Sequence, residues 1–162
     1  MRIIDLCKLA SLAHRKARAG SKHQTGTVRM MSGMFENACR EIPMTSGIRR
    51  MVRRFGFQRG QRIAEKVKLR GLPLTVENLI ENSDIPSDGY KVKAAYHGDE
   101  LRIDVIECPY LDELEKLGAL EYAPMYCEEI DMAIAEGYNP DINLRHEHAI
   151  PGCCCRMTYS GG

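Results

Sequence analysis

The stretch DGYKVKAAYHGDELRIDVIECPY, residues 88–110, decides the fold class. Its apolar residues alternate, with Tyr90, Val92, Ala94 and Tyr96 before the HGDE link and Leu101, Ile103 and Val105 after it. A period of two marks a strand with one buried face, and a short polar link containing Gly between two such runs marks a hairpin. Cys108-Pro109 closes the second run.

Upstream of this hairpin the period is helical. The spacing of apolar residues predicts helices over 1–20, 28–40 and 48–70. In the last of these, Met51, Val52, Phe55, Ile63, Ala64 and Val67 form the stripe, Gly56 and Gly60 are kink points, and Gly71 closes the helix. Thr75 is placed to cap a short fourth helix. Downstream, 110–117 reads as helix, and Pro124 opens a longer one to Glu136 with Gly137 at its exit. DINLRHEHAI (141–150) and CCCRMTYS (153–160), separated by Pro151 and Gly152, predict a second hairpin. The expected fold is α+β, with N-terminal helices packed on a four-stranded antiparallel sheet and ββ-α-ββ order in the C-terminal half.

A chain of 162 residues fits a single domain, with 1–85 mainly helical and 86–162 carrying the sheet. The net charge of +1 conceals an asymmetry: residues 1–71 hold 17 Lys and Arg against 4 Asp and Glu, and residues 72–162 hold 6 against 18. Opposed halves predict pairing within the chain or in a homo-oligomer. The basic half lacks an aromatic-interleaved or Gly-rich nucleic-acid signature, which speaks against a nucleic-acid partner. No run approaches the ~20 apolar residues that span a bilayer. The first residues lack the charge-then-apolar order of a secretory signal. Seven cysteines, three of them adjacent at Cys153, Cys154 and Cys155, argue against a disulfide framework and for reduced thiols in a cytoplasm.

The chemistry-bearing residues crowd into 125–155. Cys127 and Asp131 lie i, i+4 on the predicted helix, so a carboxylate stands beside a thiol that can be a nucleophile or a ligand. Equally, Cys127 can pack as a small hydrophobe. His146 and His148 share one strand face with Leu144 and Ile150, where hydrogen-bonded core histidines are as natural as ligands. Cys155 shares its parity with Met157 and Tyr159. Cys108, Cys127, Cys155 and His148 have ligand chemistry for zinc or iron, but no CxxC or HxxxH pairing supports a metal, and none is assigned. Kinase, serine-hydrolase, dinucleotide and zincin motifs are absent from the sequence.

Taken in order, Cys108-Pro109, Gly118, Cys127 with Asp131, Asn139-Pro140, Gly152 and a Cys opening the last strand form a set. That set resembles the C-terminal half of the L-2-amino-thiazoline-4-carboxylic acid hydrolase family. Aligned on the downstream alternation, the last cysteine of the pattern is Cys155. The resemblance implies hydrolytic opening of a five-membered C=N ring that carries sulfur and a carboxylate, giving a carbamoyl-cysteine. On that basis Cys127, or a water held by Asp131, attacks the amidine-like carbon and His148 or Cys155 handles the proton. Asn139 orients the substrate, Cys108 lines the pocket, and an Arg of the basic half binds the carboxylate. The competing expectation is a metal- or ligand-binding sensor that uses the same cysteines without turnover.

Overall fold

The computed structural model describes residues 46–84, 89–148 and 150–162. The helices expected over 1–20 and 28–40 lie outside them. Helix α1 (Ser46–Leu69) runs unbroken, and Gly71, at φ 69°, turns the chain after it. Thr75 caps α2 (Val76–Asn82) by accepting a hydrogen bond from the Asn78 amide. Strands β1 (Lys91–His97) and β2 (Glu100–Glu107) form the expected hairpin. Helix α3 (Pro109–Lys116) starts directly on Pro109. A short 3₁₀ turn (Leu120–Tyr122) leads into α4 (Ala123–Tyr138), and β3 (Asn143–His148) and β4 (Cys155–Ser160) complete the fold.

The four strands make one antiparallel sheet in the order β1-β2-β4-β3, so the second hairpin joins the first through β4. Register aligns three rows: Leu101, Tyr159 and Leu144; Ile103, Met157 and His146; Val105, Cys155 and His148. The first two rows meet α1 and α4 in a core that includes Val52, Ile63, Val67, Ile130, Ile134 and Tyr138. The third row leads toward a second core cluster under α3. The architecture is the α+β arrangement expected, with helices against one face of the sheet. Among the described residues no helix is long and apolar enough to cross a membrane.

Three local expectations are corrected. Gly56 and Gly60 lie inside the continuous α1 and let it approach α4 closely. A Cβ on Gly56 would lie 2.7 Å from the Ile130 carbonyl oxygen, and one on Gly60 would drive into that of Ile134. Gly137 likewise sits inside α4 rather than at its exit, because its bare Cα faces the Phe57 backbone. The stripe of α1 is narrower than the sequence implies: Val52, Ile63, Ala64 and Val67 are buried, whereas Met51 is 57% and Phe55 41% exposed. Strand β1 is an edge strand with all seven residues exposed, despite its alternating pattern.

The opposed charges of the halves meet inside the chain. Arg49 pairs with Glu129 at 2.9 Å, and Arg53 reaches Glu136 at 2.5 Å, so the basic flank of α1 lies on the acidic flank of α4. Such exposed pairs orient helices more than they stabilise them.

Candidate functional site: a buried thiol–carboxylate centre

Helix α4 presents Cys127 and Asp131 on one side, a turn apart, toward β3. From β3, His146 places Nδ1 3.8 Å from Asp131 Oδ2, too long for a hydrogen bond. Its ring lies 4.4 Å from that of His148, centroid to centroid. Across the register, Cys155 of β4 stands opposite His148. Cys108, at the start of α3, falls in the same cluster as Cys127, Cys154 and Cys155. Four elements therefore bring together sulfurs that lie far apart in the sequence. All five described cysteines are free thiols.

Local sequence explains these positions. Pro109 fixes the first turn of α3 directly behind Cys108. Gly89, at φ 83°, folds against the Pro109 ring where a Cβ would lie 2.8 Å from Cγ, and Tyr90 follows at once over Cys108. Of the three adjacent cysteines, Cys155 shares the face of His148 and Val105, while the Cys154 thiol donates to the Ile106 carbonyl at 3.3 Å. Tyr126, next to Cys127, stacks on Tyr110 with centroids 4.9 Å apart and walls one side of the cluster.

Burial controls the protonation states. It pushes the Asp131 carboxyl up to about 7, against the opposing pull of the Arg59 guanidinium, although a fifth of the side chain still reaches solvent. The Cys127 thiol is pushed well above its usual value by burial first, then by Asp131, Cys108 and Cys155. Cys155 rises to about 12 for the same leading reason, with Asp131 next. Cys108 also rises through burial, opposed by the amides of Leu111 and Tyr110. His146 falls to about 4, because burial and its neighbour His148 both disfavour the cation, and the nearby Cys127 carbonyl offsets only part of this. At neutral pH the cluster thus holds neutral thiols, a neutral His146 and a carboxyl poised between its two forms.

Two further features set this cluster apart from ordinary core. The His146 side chain is 1% exposed, yet neither ring nitrogen has a hydrogen-bond partner of normal geometry, and His148 Nε2 is in the same position. Orphaned buried polar atoms are rare and costly. In addition, Arg59 of α1 acts on Asp131 and Tyr126 while its side chain is only 13% exposed.

The structure brings together Cys108, Cys127, Asp131, His148 and Cys155, but not Asn139. Asn139 ends α4, donates through Nδ2 to the Leu74 carbonyl at 2.9 Å and accepts from the Asp141 amide at 3.0 Å. Both ends of its amide bond to backbone, so it joins the α1–α2 link to the start of β3, apart from the cysteine cluster. Among the described residues no three His, Cys, Asp or Glu side chains are grouped so as to hold a metal ion. A surface groove of about 590 Å³, lined by Arg50, Met51, Arg53, Arg54, Phe57 and Glu136, lies on α1 and contains none of these sulfurs. The sequence offers His146 and His148 together on one strand face but assigns a role to His148 alone, and it does not single out Arg59, a cation one helical step from both Phe55 and Ile63 in the α1 stripe.

A two-layer α+β protein with a thiol–carboxylate pair on a helix, facing histidines and a further thiol on a sheet, is the class that fold and site define. The chain belongs to the L-2-amino-thiazoline-4-carboxylic acid hydrolase family, whose profile matches residues 25–159. No curated protein and no solved structure matches it.

Proposed function

We propose that the chain is a small-molecule hydrolase that opens a sulfur-containing C=N ring bearing a carboxylate, at the cluster around Cys127 and Asp131. The observation that carries this reading is a carboxyl held near neutrality one helical turn from a buried thiol, within a member of this family. A general base works best with a pKa near the working pH. Here burial supplies that value.

In the reaction, Cys127 Sγ adds to the ring carbon between nitrogen and sulfur while its proton passes to the Asp131 carboxylate. The bond from that carbon to the ring sulfur breaks, and the departing sulfur takes the proton from Asp131. Water then adds to the same carbon, losing its proton to Asp131, and the bond to Cys127 breaks as the thiol is restored. One water is consumed, and a carbamoyl group remains on the ring nitrogen. Neutral His146 offers one ring nitrogen that can accept from an amidine N–H, its other nitrogen carrying the proton, and His148 and Cys155 are the further candidates for proton handling. A second reading, direct attack by a water that Asp131 deprotonates, is favoured by the burial that keeps Cys127 protonated.

Turnover of 2-amino-thiazoline-4-carboxylate by folded Cys127→Ala and Asp131→Asn proteins tests the assignment. Loss of turnover in both, with a mass adduct on Cys127 trapped from the wild type, supports the covalent route. Loss in Asp131→Asn alone supports the water route. Undiminished turnover in both variants removes the proposal. The sensor alternative lacks a ligand set for metal among the described residues.

A further inference from the structure

We propose that Arg59 is the residue that binds the ligand's carboxylate, and that Asp84 occupies the guanidinium in the ligand's absence as a built-in competitor. This rests on the hydrolase reading above for the identity of the ligand, but not for the exchange itself. Arg59 holds Asp84 in a two-point grip, Nε to Oδ2 at 3.1 Å and Nη2 to Oδ1 at 2.5 Å. That fork-to-carboxylate geometry is the one an Arg offers any carboxylate. The two partners are unequal: the Arg59 side chain is 13% exposed and that of Asp84 is 54% exposed.

This inequality makes the pair exchangeable. Asp84 lies beyond the end of α2 and is displaced into water at little cost, since a half-exposed carboxylate recovers its hydration. The enclosed guanidinium cannot be left bare, so it needs another carboxylate in the same place. The other arginines whose ion pairs bring them near exposed surface, Arg49, Arg53 and Arg145, are 48–65% exposed. Arg156 is as enclosed as its partner Asp104, at 20% each, and that pair is further tied to Arg102. Arg59 alone among them acts on Asp131 and Tyr126, which places its charge at the edge of the thiol–carboxylate centre. A ligand anchored there by its carboxylate extends its ring toward Cys127. The Phe55 ring, 5.7 Å from the Arg59 guanidinium, gives the cation a further partner besides Asp84.

The test compares binding of 2-amino-thiazoline-4-carboxylate with binding of its uncharged carboxamide to full-length wild type, Arg59→Met, Arg59→Lys and Asp84→Asn proteins, by calorimetry, alongside turnover. Arg59→Met should weaken the carboxylate ligand about 100-fold and leave the carboxamide within about threefold, and Arg59→Lys should restore only part of the loss. Asp84→Asn should tighten the carboxylate ligand about two- to fivefold, because a competitor is removed. A purely structural ion pair predicts the opposite sign for Asp84→Asn, and weaker or unchanged carboxylate binding in that variant overturns the proposal even if Arg59→Met does not fold. Equal losses for acid and amide overturn it too, as does wild-type protein that fails to bind the acid. Selective acid binding without turnover upholds Arg59 and removes the hydrolase reading; turnover without acid-over-amide discrimination does the reverse.

Discussion

Helix α4 has two working faces, and they obey different rules. Toward α1 it offers Ile130, Ala133, Ile134 and Gly137, packed so closely that Gly56, Gly60 and Gly137 have no room for a methyl group. Toward the sheet it offers Cys127 and Asp131, whose burial leaves a carboxyl at about 7 and an imidazole at about 4 in contact range. The first face is stabilised by contact and apolar burial. The second spends stability, since ionisable groups and orphaned nitrogens are held out of water without full compensation. Proteins tolerate such arrangements mostly at functional sites, and the contrast along a single helix is what singles out this side of it.

The contrast can be broken from either side. The largest effect should come from the sheet-facing side: Asp131→Asn lowers turnover about 10³-fold while denaturant unfolding at pH 4, where the wild-type carboxyl is still protonated in the folded protein, shifts little. A variant that loses activity only in proportion to lost folded protein would erase the distinction. On the α1-facing side, Gly60→Ala should destabilise by about 3 kcal/mol or more, because its Cβ meets the Ile134 carbonyl and the Tyr138 amide. Unfolding curves that superimpose on wild type would show that the helices are not held at this distance.

A pH series sharpens the comparison further. The folded-state pKa of Asp131 is raised from 3.8 to about 7, so the folded protein keeps that proton longer than the unfolded chain does. Its contribution is therefore fully present below about pH 4 and is lost as pH rises toward 7. Asp131→Asn should remove this decline and gain stability relative to wild type between pH 5 and 8. His146 runs the other way: lowered from 6.5 to about 4, it contributes stability that is present above 6.5 and lost as pH falls through that window. His146→Gln should flatten the acid side only. Chemical denaturation at pH 4, 5.5 and 8 reads both. The smallest effect is expected on the outer rim, where Arg49→Ala, removing a half-exposed pair with Glu129, should change stability by less than about 1 kcal/mol. A larger loss would mean that charge, rather than close packing, holds α1 to α4.

The sequence makes most of the fold legible because period is a local signal: the switch from 3.6 to 2 at Tyr90, the cap at Thr75 and the opening at Pro124 mark elements that the structure contains. The parity of Cys155, Met157 and Tyr159 also reads correctly, since a strand has only two faces and Tyr159 must be inside. The uses of Gly56, Gly60 and Gly137 are not local. A missing side chain looks like a weak point in a helix until the partner helix is seen filling the space. Met51, Phe55 and the apolar residues of β1 fit their stripes and are nevertheless exposed, because periodicity reports which residues share a face and not whether anything described covers it. Asn139 makes a related point: an Asn-Pro pair at a helix end carries the same letters whatever its amide meets, and only the fold shows it donating to the Leu74 carbonyl. Arg59 was hidden in plain charge counts, where one enclosed arginine weighs no more than the exposed ones.

The most direct test of the central claim is a titration of the Asp131 side-chain carboxyl by carbon NMR, assigned by difference from Asp131→Asn. A midpoint near 7 is the result predicted by burial beside Cys127. A midpoint near 4, the ordinary value of an aspartate in water, would contradict it and leave α4 with one kind of face rather than two.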